Sequence, residues 1–423
     1  MNSFIKVLKV KDLKKKIFFT IGIIFLFRLG SLIPTPGIDI GIIKELIKNN
    51  GFFSLYDLFS GKAMSQFAIF SLGISPYITA SIILQLLSVG FERLKELYEG
   101  GEVGRKKQKL HTKLLGVLFA IIQSTALTFS FIVPNKILLS DNTWFSIVPI
   151  ASLTIGAILV MYLADLVDKK GIGNGVSLMI FVSIIASLPE NIMLLFNGFK
   201  SKTITTYVFV GILLGGFLLL MLTIYVQESV RKVSVQYAKK VSGSQFLANN
   251  TSHIPLKLNQ GGVMPVIFAS TILSIPQIFT MLNNEAITKF INTWLSPNGA
   301  KGLIVYVLLQ GFLIVAFTYF TLITMFNIEE MAENIRKQGG FIPGIRPGKS
   351  TVEYLTKIVN RLNFVGAIFL VFVASLPLIV GFFANISLLL GGTSLLIVVS
   401  VALELYRKIQ TELSMKTYKG FLG

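Results

Sequence analysis

The sequence predicts an all-α polytopic membrane protein with ten spanning helices. Three observations carry that prediction. Of 423 residues, 53% are hydrophobic and only 14% charged, with a mean hydropathy of +0.73. That is too little charge to solvate a soluble globule of this length. Ten apolar runs recur along the chain, most of them long enough for the ~20 residues that cross a ~30 Å hydrocarbon core. If the runs cross in alternation, thirty of the thirty-nine lysines and arginines fall on one side, eight fall on the other, and Arg28 lies within the first run. An asymmetry repeated over so many loops sets orientation by the positive-inside rule and places both termini in the cytoplasm.

The runs are Ile17–Ile33, Phe67–Val89, Leu114–Val133, Trp144–Leu166, Val176–Phe196, Ile204–Val226, Gly261–Leu282, Gly302–Phe326, Phe364–Phe383 and Ile386–Leu405. The first follows a basic stretch, Lys6 to Lys16, as a signal peptide would. Arg28 interrupts it, however, and Pro34–Thr35–Pro36 follows with no small-residue cleavage site, so it is read as a retained helix. Arg28 stands five residues before Ile33, roughly 8 Å from the outer edge at ~1.5 Å per residue. From there it can snorkel to the interface, which favours an anchoring or packing role over an ion site.

Between the first two runs, Pro34 to Gln66 is neither clearly polar nor apolar enough to span. Within it Phe52–Phe53–Ser54–Leu55–Tyr56–Asp57–Leu58–Phe59–Ser60 is a short apolar piece closed by Gly61. It suits either a re-entrant half-helix packed on protein or an amphipathic cap at the outer surface. The other long outer connection, Asn283–Lys301, shows no usable pattern.

The inner loops are larger. Gln227–Gln260 carries Arg231, Lys232, Lys239 and Lys240, and the alternation of Val233, Val235 and Tyr237 predicts a short hairpin strand. Asn327–Asn363 holds Glu329, Glu330, Glu333, Arg336 and Lys337. It then reads Gly339–Gly340–Phe341–Ile342–Pro343–Gly344–Ile345–Arg346–Pro347–Gly348, a non-helical tip that holds one arginine outward. This Gly/Pro construction favours docking, whereas the charge alone does not discriminate.

The net charge of +19 follows from the inside bias and from attraction to anionic lipids. Cysteine is absent, which excludes disulfides and thiolate chemistry. His111 and His253 lie far apart in inner loops and read as surface residues. No catalytic constellation can be assembled, and no cofactor or metal is implied. An ion-coupled secondary transporter is the alternative reading. Such proteins often carry carboxylates near mid-membrane, but Asp165, Glu190 and Glu404 lie toward span ends.

Several strings then occur in order. They are Phe27–Arg28–Leu29–Gly30–Ser31–Leu32–Ile33–Pro34, Pro36–Gly37–Ile38–Asp39, and Leu72–Gly73–Ile74–Ser75–Pro76–Tyr77–Ile78–Thr79–Ala80–Ser81–Ile82. Gly100–Gly101–Glu102–Val103–Gly104–Arg105–Lys106–Lys107, Gly171–Ile172–Gly173–Asn174–Gly175, Gly344–Ile345–Arg346–Pro347–Gly348 and Gly391–Gly392–Thr393–Ser394–Leu395–Leu396–Ile397–Val398–Val399 follow. At these spacings the chain closely resembles the SecY family, the channel subunit of the bacterial protein translocase. The resemblance covers nearly the whole chain. One departure is the loop tip after Lys239–Lys240, which reads Val241–Ser242–Gly243–Ser244–Gln245 without further basic residues.

The resemblance implies two pseudo-symmetric halves around a central pore, residues 1–200 and 201–423, the second bearing the large cytoplasmic loops 227–260 and 327–363. It implies a channel that passes unfolded preproteins across the bacterial cytoplasmic (inner) membrane and releases signal or transmembrane segments sideways into lipid. The family's pore ring falls on Ile78, Ile82, Ile180, Ile184, Ile267 and Ile397. Its plug, near 52–65, falls on Leu55–Tyr56–Asp57–Leu58–Phe59–Ser60–Gly61–Lys62–Ala63–Met64–Ser65, which favours the re-entrant reading. Its lateral gate, between the second/third and seventh/eighth spans, falls among Gln85, Gln123, Ser124, Ser270 and Thr271. For Ser124, Ser270 and Thr271, bonding to their own helix backbone is at least as good an account. Partner docking is expected at Arg105, Lys106, Lys107, Arg231, Lys232, Lys239, Lys240 and Arg346. The implied partners are SecE-like and SecG-like small membrane subunits, the SecA motor ATPase, the ribosome and preprotein substrates.

Overall fold

Each of the ten apolar runs carries a helix in the structure, a computed structural model. It describes residues 10–39, 41, 61, 63–99, 101–139, 143–202, 204–237, 251–278, 285–296, 299–384 and 392–419. In chain order the elements are α1 (Lys11–Gly30), α2 (Ser75–Gly90), α3 (Glu92–Glu99), α4 (Gly101–Leu127, running into a π-helical turn Thr128–Ile132), α5 (Ile147–Lys170), α6 (Gly175–Lys200) and α7 (Thr206–Glu228). Strands β1 (Val230–Tyr237) and β2 (Thr251–Lys257) follow. The chain continues through α8 (Met264–Ile278), α9 (Glu285–Trp294), α10 (Ala300–Met325), α11 (Ile328–Lys337), β3 (Gly340–Phe341), α12 (Lys349–Phe383) and α13 (Gly392–Lys419). Helices α3, α9 and α11 lie between the runs; the other ten coincide with them.

Six of the described helices, α4, α5, α6, α7, α10 and α12, are each long and apolar enough to cross a membrane. Helix α2 qualifies together with α3, from which it is bent by 114°, and α8 is a shorter apolar helix. Helices α1 and α13 have apolar middles and charged ends, with Lys14–Lys15–Lys16 on one and Arg407–Lys408 on the other.

Helix contacts repeat along the chain. In the first group α2 lies on α4, α4 on α5, α5 on α6, and α1 on α5. In the second, α8 lies on α10, α10 on α12, α12 on α13, and α7 on α13. Counted as spans, the second to fifth and the seventh to tenth follow one order. The groups meet through α2 with α8 and α6 with α13, which pairs the second span with the seventh and the fifth with the tenth. A pseudo-two-fold arrangement pairs elements in that way, although no repeat is visible in the sequence. Small residues permit the closest approaches. A Cβ on Gly156 of α5, Gly175 of α6 or Gly392 of α13 would collide with the carbonyl oxygens of Ile69, Ala164 and Val373 respectively.

The second apolar run departs from expectation. Its helix begins only at Ser75, with Pro76 in the first turn, where a missing N–H costs nothing. Residues 63–74 are irregular yet almost wholly buried, with Ala63, Met64, Phe67, Ala68, Ser71 and Leu72 all at 0–1% exposure. Such a backbone is tolerable at membrane depth only if protein satisfies it. Thr35 N donates to Phe67 O at 2.9 Å, Ile69 N to Ile33 O at 2.9 Å, and Ala68 N to Ala63 O at 2.8 Å. Phe67 takes a left-handed φ of +46°, a strained conformation for a bulky residue. Its ring stacks on Phe131, centroids 6.2 Å apart.

The two large loops fold together. Strand β1 pairs antiparallel with β2 (Val233 opposite Ile254, Val235 opposite Ser252) and on its other edge with β3 (Gln236 opposite Phe341, Tyr237 opposite Gly340). The expected alternation holds, since Val233 and Val235 are buried and Ser234 between them is exposed. They share a core with Leu256, Ala332, Ile335, Ile342, Leu355, Ile358 and Val359. Helix α12 supplies the last three because its 35 residues extend about 52 Å, well beyond a ~30 Å core.

Asn283–Lys301, featureless in the sequence reading, contains α9. The missed signal is Ile287, Phe290, Ile291 and Trp294 at i, i+3, i+4 and i+7, one face of a helix.

The Gly156 contact generates a paired prediction. Gly156→Val should lower accumulation and the thermal midpoint in detergent, because overpacking against the Ile69 carbonyl costs ~1–3 kcal/mol. Gly215→Val, in α7 with nothing within 4 Å of its Cβ position, should change neither; equal behaviour of the two would contradict this account of helix contacts.

Candidate pore constriction

The six isoleucines of the expected ring stand on four helices: Ile78 and Ile82 on α2, Ile180 and Ile184 on α6, Ile267 on α8, and Ile397 on α13. They come from both helix groups, at the elements through which the groups touch. All six are buried, between 1% and 5% exposed, and all belong to one contiguous apolar cluster. Each i, i+4 pair shares a helix face. On α6 the stripe continues through Ser183 (0%) and Ser187 (5%), whose hydroxyls bond back to Met179 O and Ile184 O.

Of the expected plug, Gly61, Ala63, Met64 and Ser65 are described, whereas Leu55 to Ser60 and Lys62 lie outside the described residues. Ala63 and Met64 are fully buried in the framework, and the Ala63 carbonyl accepts from Ser71 Oγ at 2.8 Å as well as from Ala68 N. Gly61 has φ +63°, and a Cβ there would lie 2.9 Å from the Cα of Ser183. Arg28 departs from the snorkelling expectation, since its Nη1 donates to the Gly61 carbonyl at 2.8 Å.

The expected gate residues divide. Gln85 Nε2 donates to Ser81 Oγ at 3.2 Å, and the amide oxygens of Gln85 and Gln123 are buried without a partner among the described residues. Ser124 sits where α4 meets α5. Its hydroxyl bonds Thr154 Oγ1 of α5 at 2.9 Å and Ile121 O at 3.0 Å, which places it in the α4–α5 contact. Ser270 and Thr271 bond back to their own helix, at Val266 O and Ile267 O. That is the backbone reading already open for all three hydroxyls.

The basic residues expected to dock partners are exposed wherever they are described. Arg105, Lys106 and Lys107 lie on the first turns of α4 rather than in a loop, Arg231 and Lys232 on β1, and Arg346 at the turn before α12. Lys239 and Lys240 lie outside the described residues. Gly344 (φ +80°) and Gly348 (φ +113°) supply the left-handed turns that carry Arg346 outward.

On the basic side α13 ties elements of both groups. Lys408 Nζ donates to Gly173 O at 3.0 Å, Arg407 to Gln227 O at 3.2 Å, and Glu412 pairs with Lys16 at 2.8 Å. Burial, with Arg407 adding repulsion and Glu404 opposing it, holds Lys257 below the usual lysine range. The Gly171–Gly175 motif has a local cause as well. Asn174 caps α6 by accepting from Val176 N, and Asp168 accepts from Gly175 N at 2.8 Å. His111 is half-buried, its Nδ1 3.0 Å from Tyr98 Oη, while His253 is exposed on β2.

Asp165 is ion-paired with Lys113 at the basic end of α5, and Asp168 with Lys109 at 2.6 Å, so neither is a mid-membrane ion ligand. Ten helices on the apolar runs, in two groups that meet at a buried aliphatic cluster, define a polytopic membrane protein. Comparison with known proteins narrows the class. The SecY family profile matches residues 68–406. Protein translocase subunits SecY of Streptomyces coelicolor, Staphylococcus carnosus and Thermotoga maritima are 38%, 37% and 36% identical over all of this chain, covering 100%, 99% and 97% of theirs. The chain therefore belongs to the SecY family; it is a channel protein and not an enzyme. Solved structures share the fold. A protein-conducting channel aligns with TM-score 0.70 at 19% identity, covering 94% of this chain and 92% of that one. Sec61 from a canine ribosome–channel complex aligns at 0.67 and 18% over the same shares.

Proposed function

We propose that the chain conducts unfolded preproteins through the aliphatic collar and releases apolar segments sideways between its two helix groups. The observation that carries this reading is the convergence of Ile78, Ile82, Ile180, Ile184, Ile267 and Ile397, from both groups, in one buried cluster. A narrow branched-aliphatic constriction dewets and so blocks ions when idle. It also offers a passing chain no hydrogen bond to hold it. Residues 1–200 and 201–423 are the two halves, supported by the repeated order of helix contacts. The plug occupies the outer funnel, and its end abuts the collar helix at Ser183. The seam opens between α2/α4 and α8/α10. Gln85 and Gln123 suit it because a buried acceptor without a donor costs ~1–3 kcal/mol, which weakens the closed contact locally.

The sheet β2–β1–β3 with α11 forms a single docking platform for the ribosome and for a SecA motor, with Arg346, Arg231 and Lys232 at its surface and Lys239 and Lys240 between β1 and β2 in the sequence. Arg105, Lys106 and Lys107, exposed on α4, add to the docking surface. SecE-like and SecG-like subunits complete the complex, anionic lipids bind the basic face, and both termini lie in the cytoplasm of a bacterium whose inner membrane holds the channel. Positive-inside bias supports this orientation.

Two measurements test the reading. Ile82→Asn and Ile267→Asn, in protein that accumulates normally, should raise the idle single-channel conductance in planar bilayers, and unchanged conductance in both would remove these residues from the constriction. Arg346→Glu should leave expression and detergent stability near wild type while SecA- and ATP-driven transport into vesicles falls steeply. Charge reversal at Lys107 should cost less, since neighbouring basic residues compensate. Normal transport by Arg346→Glu, or a failure explained by lost protein, would refute the docking role.

A further inference from the structure

Arg28 is a half-buried cation within the first span whose guanidinium donates to a backbone carbonyl thirty-three residues ahead, at Gly61. Its own position is rigid. Phe27 stacks on Phe70 with centroids 5.9 Å apart, and Ser31 Oγ donates to the Arg28 carbonyl at 2.8 Å. The accepting residue is fitted as closely. Gly61 is buried, has φ +63°, and leaves no room for a Cβ, which would lie 2.9 Å from Ser183 Cα and 3.2 Å from Arg28 Nη1. Two residues on, Ala63 is locked into the framework by the Ala68 amide and the Ser71 hydroxyl. Gly61 thus stands just outside the fixed frame, held between a guanidinium and the collar helix.

We propose that Arg28 is the positioning residue that keeps the channel's plug seated. Its guanidinium pins the Gly61 carbonyl against α6 beside Ile180 and Ile184, and the part that leaves ends at Gly61, with Ala63 and Met64 staying in the frame. This rests on the plug reading given above. A charge-assisted hydrogen bond is roughly twice as strong as a neutral one. It is nevertheless a single bond, which an entering chain can break.

The test uses the full chain in its purified complex, reading idle ion leak in planar bilayers. Arg28→Ala should raise leak about tenfold, which corresponds to ~1.4 kcal/mol. Arg28→Lys, which keeps a cationic donor, should recover much of the seal. Gly61→Ala attacks the same contact from the other side and should leak similarly, so it carries the test if Arg28→Ala fails to accumulate. Removal of residues 52–60 should also leak, and adding Arg28→Ala to that deletion should add nothing. An anchoring role for Arg28 would not show that dependence. Normal sealing by both Arg28→Ala and Gly61→Ala, beside a leaky deletion, overturns the latch and leaves the plug standing. Additive leak in the combined variant also overturns it. A deletion that seals normally overturns the plug reading and the latch with it.

Discussion

Every part of this molecule answers to one constraint: a backbone N–H or C=O placed in hydrocarbon must find its partner within the protein. Helices meet that demand locally, which is why ten of them account for the apolar runs. Residues 63–74 meet it by tertiary means. Their amides and carbonyls are taken by Ile33, Thr35 and one another, under nearly complete burial. Arg28 serves the same end, since its guanidinium donates to the carbonyl of Gly61 at a left-handed turn.

A second constraint follows from the first. Once backbone polarity is internal, helices in lipid gain little from burying apolar surface against one another, and association depends on close contact. The glycines at 156, 175 and 392 let a neighbouring carbonyl approach where any side chain would collide. Helix α7, by contrast, carries Gly211, Gly215 and Gly216 with nothing near them. It touches the rest chiefly through α13 and leaves most of its surface outward. The two groups are also tied to each other, most extensively where α6 meets α13.

Outside the spans, ordinary soluble-protein physics returns. The sheet β2–β1–β3 and α11 build a small core on the projecting end of α12, so two loops separated by three helices in the chain behave as one unit. Exposed arginines ride on that unit, whereas the six isoleucines of the expected ring lie in the largest core cluster.

The sequence by itself determined the spans, their number, the strand alternation at Val233 and Val235, and the family, because each is written in local periodicity or in short strings. It left α9 unread although Ile287, Phe290, Ile291 and Trp294 mark a helix face, since a ten-residue amphipathic signal is weak beside twenty-residue apolar runs. It singled out Ile78, Ile82, Ile180, Ile184, Ile267 and Ile397 only through resemblance, as isoleucine is common in the spans and nothing local separates one buried between the helix groups from one that faces outward. Only the tertiary structure decided that Ser124 belongs to Thr154, that α2 becomes helical at Ser75 rather than Phe67, that β3 joins the hairpin, and that Arg28 turns inward to Gly61. Each of these depends on a partner tens to more than a hundred residues away. Such a partner is chosen by how helices assemble in space, and the periodicity of a single segment carries no record of that choice.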